Sequence, residues 1–189
     1  MNSFHEAMEN WLKMTYDKER VMRFIRNDEV KRMSLYYYET AVGNFGIAEE
    51  DDQITHLYFE DDPFPVGTAI HETPLIREAA HQLRRYLQGD LKEFTIPLNP
   101  KGTAFLQKVW SQLTQIPYGK TMSYQKVAVK IGSPRGARAV GMANNRNPIP
   151  IFIPCHRVIG TNGSLTGYRG GVALKQKLIE LERSMGQLK

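Results

Sequence analysis

The chain of 189 residues has a single cysteine, Cys155. One thiol excludes an internal disulfide and any metal site built on two thiolates, a multi-cysteine zinc site included, and it suits a reducing compartment. Long apolar runs are missing too, since no uninterrupted stretch approaches the roughly 20 residues of a membrane-spanning helix. The opening Met1-Asn2-Ser3-Phe4-His5-Glu6 lacks the basic and apolar regions of a secretory signal. The expectation is a soluble, cytoplasmic protein with no membrane partner. Phosphate-loop and dinucleotide fingerprints are also absent; the glycine-rich stretch at 160–171 fits neither and reads as a pocket wall. Charge is only modestly unbalanced, at a formal +5, which is compatible with a polyanionic partner and diagnostic of none.

Residues 1–32 are charged and Met-rich, with Phe4, Met8, Trp11 and Thr15 at weakly helical spacing, and read as an N-terminal extension. From 33 the pattern is strand-like: 35–40, 45–49 and 54–59, separated by Val42-Gly43-Asn44 and Glu50-Asp51-Asp52, predict a meander. The Tyr36-Tyr37-Tyr38 run fits sheet packing. Thr73 followed by Pro74 is an N-cap with proline at the first helical position, and Leu75, Ala79, Leu83 and Leu87 form a stripe that stops at Gly89. That helix should lie on the sheet. Residues 91–98 suggest one more short strand, and Asn99-Pro100-Lys101-Gly102 a linker. The expected architecture is α+β: a small antiparallel sheet domain with a packed helix over 33–99, then a helical domain over 100–189.

In the second half, Thr103 can cap a helix whose Phe105, Leu106, Val109, Trp110, Leu113 and Ile116 form one apolar face, ending at Pro117-Tyr118-Gly119. Ser123 can cap a helix from Tyr124 to about Lys130. After Ile131-Gly132, Ser133-Pro134 looks like a second cap and first-position pair, opening a helix through Ala143. Two short helices joined by a Gly-containing turn are a helix-turn-helix candidate. On the second helix Arg138 stands between Ala137 and Ala139, small residues that let another backbone approach. A closing helix carries Leu174, Leu178 and Leu181, with Glu182 at the border of that apolar face. By composition alone, Glu182 reads as an exposed residue paired with Arg183 or Lys175.

Residues 147–158, Asn-Pro-Ile-Pro-Ile-Phe-Ile-Pro-Cys-His-Arg-Val, place the sole thiol at the end of an apolar run. The run suggests a buried strand, with the prolines making it an edge or an interrupted one. A thiol reacts as its thiolate, so Cys155 needs a base, and His156 is adjacent. In a continuing strand the two side chains would face opposite ways, so they can meet only if the backbone turns or a water bridges them. Chemistry alone leaves a reactive thiol and an inert buried one equally open.

Pro154-Cys155-His156-Arg157-Val158, preceded by Asn147-Pro148 and by Arg138-Ala139-Val140-Gly141, resembles the O6-alkylguanine-DNA alkyltransferases, also called methylated-DNA-protein-cysteine methyltransferases. The resemblance runs from about 103 to 182. It implies DNA repair by irreversible, single-turnover transfer of an alkyl group from O6 of guanine, and from O4 of thymine, to Cys155. It also implies a winged-helix-like helix-turn-helix, no metal and no cofactor; relatives with cysteine-bearing zinc sites differ in this respect. The residues implied for catalysis are Cys155, His156 acting through water, Glu182, Tyr124 as donor to the leaving guanine, and Asn147 at a hinge. Val158, Tyr168, Arg169 and Lys175 fall where the family binds substrate; Arg169 replaces a serine of some relatives. Ser123, Tyr124, Ala137, Arg138 and Ala139 are the implied DNA contacts. The implied partner of this monomer is double-stranded DNA with an alkylated guanine, bound in the minor groove with the base flipped out and Arg138 filling the gap. Two other readings compete. A cysteine hydrolase needs the same three residue types plus an oxyanion hole, and a helix-turn-helix regulator could use Cys155 as a redox sensor.

Overall fold

The computed structural model describes residues 33–40, 42–60, 62–63 and 68–187; the expected extension at 1–32 lies outside them. Strands β1 (Ser34–Thr40), β2 (Gly43–Glu50) and β3 (Gln53–Phe59) form the expected antiparallel meander, and a two-residue β4 (Ala69–Ile70) adds in parallel to β1, giving the order β3-β2-β1-β4. Alternation sends Tyr38, Phe45, Ile47 and Leu57 to the main core, and Leu35, Ala48 and Tyr58 to a smaller cluster on the opposite face. The tyrosine run therefore serves the sheet, and the Tyr38 hydroxyl donates to Glu72 at 2.8 Å.

Helix α1 (Pro74–Gln88) lies over this sheet. Thr73 Oγ1 accepts from the Ile76 N–H at 3.1 Å, and Gly89, at φ 86°, closes the helix by donating to the Arg85 and Tyr86 carbonyls. The buried line is Ile76, Ala79, Ala80, Leu83 and Tyr86, while Leu75 and Leu87 are only half-buried. The apolar stripe is thus rotated by about one residue, enough to bring Tyr86 fully inside.

Residues 91–98 do not form the expected strand. Only Leu98 bridges Ile54, because Pro97 has no N–H to donate and the Gln82 side chain takes the Thr95 N–H in place of a ladder partner. Past the linker, α2 (Ala104–Thr114) starts at the Thr103 cap, and Trp110, 2% exposed, donates its indole N–H to the Ala143 carbonyl at 2.9 Å. That bond ties α2 to the segment around Ala143.

Helices α3 (Tyr124–Lys130) and α4 (Ala137–Asn145) pack together as the helix-turn-helix, with Ser123 capping α3 as expected. Ser133-Pro134, however, opens no helix. The Gly136 N–H donates to the Ser133 carbonyl at 2.7 Å, so 133–136 is a turn and α4 begins only after Gly136, without a side-chain cap. A Cβ at Gly136 would lie 2.9 Å from that carbonyl oxygen, so the turn needs glycine there.

The run at 147–158 is buried throughout but is not a strand. Pro148, Pro150 and Pro154 remove the donors a ladder needs, and Ile151 sits at φ 74°, a costly conformation for a β-branched residue. The chain instead makes a tight loop and a 3-10 turn at Cys155–Arg157, then pairs β6 (Val158–Ile159) in parallel with β5 (Met122–Ser123). Helix α5 (Val172–Gln187) closes the fold.

One continuous core includes residues from both sides of the linker. Leu57 N donates to the Pro148 carbonyl at 2.8 Å, and Phe94 meets Phe152 edge-on at 4.6 Å. Among the described residues, every strand and helix that builds this core starts at Ser34 or later. A chain beginning at Met33 is therefore expected to show one cooperative thermal transition close to that of the full chain. A broad or strongly lowered melt would mean that residues 1–32 contribute to the core.

Candidate active site

The loop that presents Cys155 is held by one side chain. Asn147 Oδ1 accepts from Ile149 N at 3.0 Å, and its Nδ2 donates to the Ile153 carbonyl at 2.9 Å, so one amide satisfies two buried backbone groups that the prolines leave without a ladder. The same Nδ2 lies 3.2 Å from Cys155 Sγ. Asn144 steadies the far side, donating to the Cys155 carbonyl at 3.1 Å.

Cys155 is 3% exposed. Burial pushes its thiol pKa up, while the Asn147 donor and the charges of Lys175 and Arg169 pull it back down. The upward effect wins, so the thiol carries its proton at rest and needs a base.

His156 follows it in the 3-10 turn, which takes the backbone out of the alternation of a strand. Its Nε2 lies 3.0 Å from Glu182 Oε1. Glu182, 1% exposed, is surrounded by donors: Arg157 Nη2 at 2.8 Å, Arg157 Nε at 3.0 Å, the Tyr86 hydroxyl at 2.6 Å and the Gly119 N–H at 2.9 Å. Burial would raise the Glu182 pKa, but His156 and Arg157 outweigh it and hold the carboxyl at about 2. Burial lowers the His156 pKa despite Glu182, so the ring is neutral near pH 7. A neutral ring facing a carboxylate keeps its proton on Nε2. Nδ1 is then a lone pair, buried and without a protein partner. The arrangement is a buried hydrogen-bond acceptor backed by a fixed anion.

Around this centre Tyr124 donates to the Thr166 carbonyl at 3.1 Å, and Lys175 Nζ donates to the Tyr124 hydroxyl at 3.3 Å and to Thr166 O at 2.9 Å. Burial raises the Tyr124 pKa, with the nearby thiol adding to the effect, and burial lowers that of Lys175. Val158 is fully buried, and Tyr168 meets the His156 ring edge-on at 6.5 Å with its hydroxyl unpartnered. Arg169 turns toward the sheet: its guanidinium donates to Leu57 O, pairs with Asp62 at 3.2 Å and lies over Phe59. Ala137, Arg138 and Ala139 lie at the start of α4, and Arg138 and Ala139 are exposed. Among the described residues no cluster of three or more His, Cys, Asp or Glu could hold a metal, and no helix is long and apolar enough to cross a membrane.

Two family models match the chain. Residues 33–100 match the ribonuclease-like domain of 6-O-methylguanine DNA methyltransferase, and residues 104–184 match its DNA binding domain. The constitutive methylated-DNA–protein-cysteine methyltransferase of Bacillus subtilis is 47% identical over 152 residues, covering 77% of this chain and 92% of its own length. The chain belongs to the 6-O-methylguanine DNA methyltransferase family. A Methanosarcina acetivorans methylated-DNA–protein-cysteine methyltransferase is 42% identical, with 79% of this chain and 99% of its own length covered. The crystal structure of Mycobacterium tuberculosis O6-methylguanine methyltransferase superposes with a TM-score of 0.77 at 39% identity, covering 83% and 96% of the two chains. The M. tuberculosis protein solved in complex with DNA gives 0.77 at 41%, covering 80% and 94%.

Three members of the site went unread in the sequence: Tyr86, Arg157 and Gly119. Tyr86 falls outside the apolar stripe Leu75, Ala79, Leu83 and Leu87, and Arg157 enters only as part of the Pro-Cys-His-Arg-Val run. Its burial, at 7% exposure, could have been suspected from the apolar residues flanking it. Gly119 has φ 72° and would place a Cβ 3.0 Å from the Glu182 carbonyl, so its role is a backbone one that no side-chain motif announces.

The two shifted pKa values predict how stability falls with acid. Both are lowered on folding, so stability is complete above the unfolded values and declines as protons enter, for His156 below 6.5 and for Glu182 from 4.5 towards about 2. Glu182→Gln should remove the lower limb and destabilise the neutral protein by about 3–5 kcal/mol, because the buried Arg157 loses its counter-charge. Urea denaturation from about pH 2 to about pH 8, which spans both limbs, would read both effects. Unchanged stability at neutral pH would show that the buried pair contributes nothing.

Proposed function

We infer that the protein repairs DNA directly, moving an alkyl group from O6 of a damaged guanine to its own Cys155, once per molecule. The observation that carries this is the sole thiol, 3.2 Å from the Asn147 amide, beside a buried His156–Glu182 pair whose free Nδ1 can act as base. Family membership supplies the substrate class.

The chemistry follows from the charges. His156 Nδ1 takes the Cys155 proton through a bound water, and the imidazolium is stabilised by Glu182, itself kept ionised by Arg157. The thiolate, steadied by the Asn147 N–H and the Lys175 charge, attacks the alkyl carbon. An S–C bond forms, the C–O6 bond breaks, and the electron pair passes into the guanine ring, which takes a proton. Tyr124 is the donor we assign: its raised pKa keeps it protonated, and Lys175 at 3.3 Å stabilises the oxygen left behind. The step balances with no metal or cofactor, and the thioether product has no route back to a thiol.

A thiol 3% exposed cannot reach an atom inside a stacked duplex. The target nucleotide therefore flips into the site, where Val158, Tyr168 and the loop carrying Arg169 receive the base. The helix-turn-helix presents Ala137, Arg138 and Ala139 to the minor groove, with Ser123 and Tyr124 at the start of α3 nearby. Arg138 is exposed and has no hydrogen bond or ion pair among the described residues, which leaves it available to fill the vacated stack. The protein acts as a monomer.

Incubation with duplex DNA containing O6-methylguanine should add one methyl group per molecule, located on Cys155 by intact mass and peptide mapping. Cys155→Ser should bind the same DNA and repair none. Turnover beyond one equivalent would instead favour a hydrolase. Arg138→Ala separates flipping from chemistry, since its side chain compensates for unstacking, a cost of about a few kcal/mol. Repair of duplex should slow strongly, repair of a single strand less, and reaction with free O6-alkylguanine hardly at all. Equal loss on duplex and free base would place Arg138 in support of the thiol site.

A further inference from the structure

Resting on the alkyl-transfer reading above, we propose that Tyr86 is a positioning residue of the relay, through which the segment before the linker completes a site otherwise built from the C-terminal half. Glu182, His156, Arg157 and Gly119 all follow the linker; Tyr86 alone reaches their carboxylate from α1. Its bond to Glu182 Oε1, 2.6 Å, is the shortest of that cluster, and its oxygen also lies 3.2 Å from His156 Nε2.

The hydroxyl has little freedom to leave. Tyr86 is fully buried, its ring packs on Phe94 at 5.2 Å and edge-on to Tyr118 at 6.1 Å, and its carbonyl accepts from Gly89 where α1 ends. Burial and the Glu182 charge push its pKa well above the ordinary tyrosine value, so it is a donor at every pH of interest. Oε1 therefore receives the tyrosine O–H as well as the protons of His156 and Arg157. Each donor withdraws charge from the carboxylate and reduces its pull on the imidazole. Without Tyr86 the same carboxylate would favour imidazolium more strongly at rest, leaving less neutral His156 to accept the thiol proton. It would also lose the contact that fixes Oε1 opposite Nε2. The other ionisable groups facing the ring are Arg157, Lys175, Tyr168 and Cys155, with Tyr118 beside Glu182.

Tyr86→Phe keeps the ring and its packing and removes only the donor. In single-turnover assays with O6-methylguanine duplex, the rate at pH 7 should fall about tenfold, the consequence of losing one hydrogen bond to a charged group. Affinity for the DNA should be unchanged. The acid limb of the rate profile should move to higher pH, and the His156 titration followed by nitrogen NMR of the free protein should move the same way. A slower rate with an unmoved acid limb and an unmoved titration would leave Tyr86 a packing residue and overturn the proposal, as would wild-type values throughout. If Tyr86→Phe does not fold, 3-fluorotyrosine at position 86, a stronger donor, should shift the titration to lower pH; no shift would equally overturn it. The NMR titration needs no substrate. A wild-type protein that fails to alkylate at all would defeat the functional reading, while the titration still decides the role of Tyr86.

Discussion

A single buried carboxylate organises this protein. Glu182 on α5 is ionised in a place from which water is excluded, and such a charge is tolerable only if donors converge on it. They come from α1 (Tyr86), the loop before β5 (Gly119) and the 3-10 turn (His156 and Arg157). Arg157 in turn donates to the Ile116 carbonyl at 2.6 Å, capping the exit of α2. Satisfying one anion thus fixes the mutual placement of four segments far apart in sequence, and the imidazole beside the thiol inherits that rigidity.

The thiol lives under the opposite constraint. Burial that protects Cys155 from solvent also raises its pKa, so the site cannot rely on a standing thiolate of the kind found at exposed reactive cysteines. In the proposed mechanism His156 resolves the conflict as a nearby base, and Glu182 decides its tautomer. A redox-sensing role fits poorly, because sensors depend on an accessible, low-pKa thiol. A hydrolytic role would require an oxyanion hole, whereas the Asn147 amide gives its two hydrogens to Ile153 O and to Cys155 Sγ.

What could be read from the sequence was local. Thr73, Thr103 and Ser123 announced their helices because a cap is a bond between residues three apart. The Pro-Cys-His-Arg-Val run and the Asn-Pro before it announced the family. The misreadings arose where a local rule was overridden by a partner distant in sequence or by a missing donor. The run at 147–158 has strand composition, yet alternate prolines strip its N–H groups and Asn147 substitutes for a ladder. Residues 91–98 lost their strand to Pro97 and to Gln82. Ser133-Pro134 looks like a cap and first turn, but Gly136 closes a turn first. Tyr86 was invisible because its partner lies 96 residues away, and Glu182 looked exposed because nothing in its own helix required a counter-charge.

Arg169 illustrates how the two halves share control of the site. A long cation in the loop beside the proposed base pocket would crowd that pocket if the side chain pointed inward. Here the Leu57 carbonyl, Asp62 and the Phe59 ring hold the guanidinium against β3, so the side chain works as a tether between the loop and the sheet. The charge still lies near enough to ease ionisation of Cys155. Losing the tether would free the loop and, at the same time, weaken the thiolate. The sheet and the helix packed on it therefore touch the proposed site at two points, β3 through Arg169 and α1 through Tyr86, although neither carries the proposed nucleophile or base.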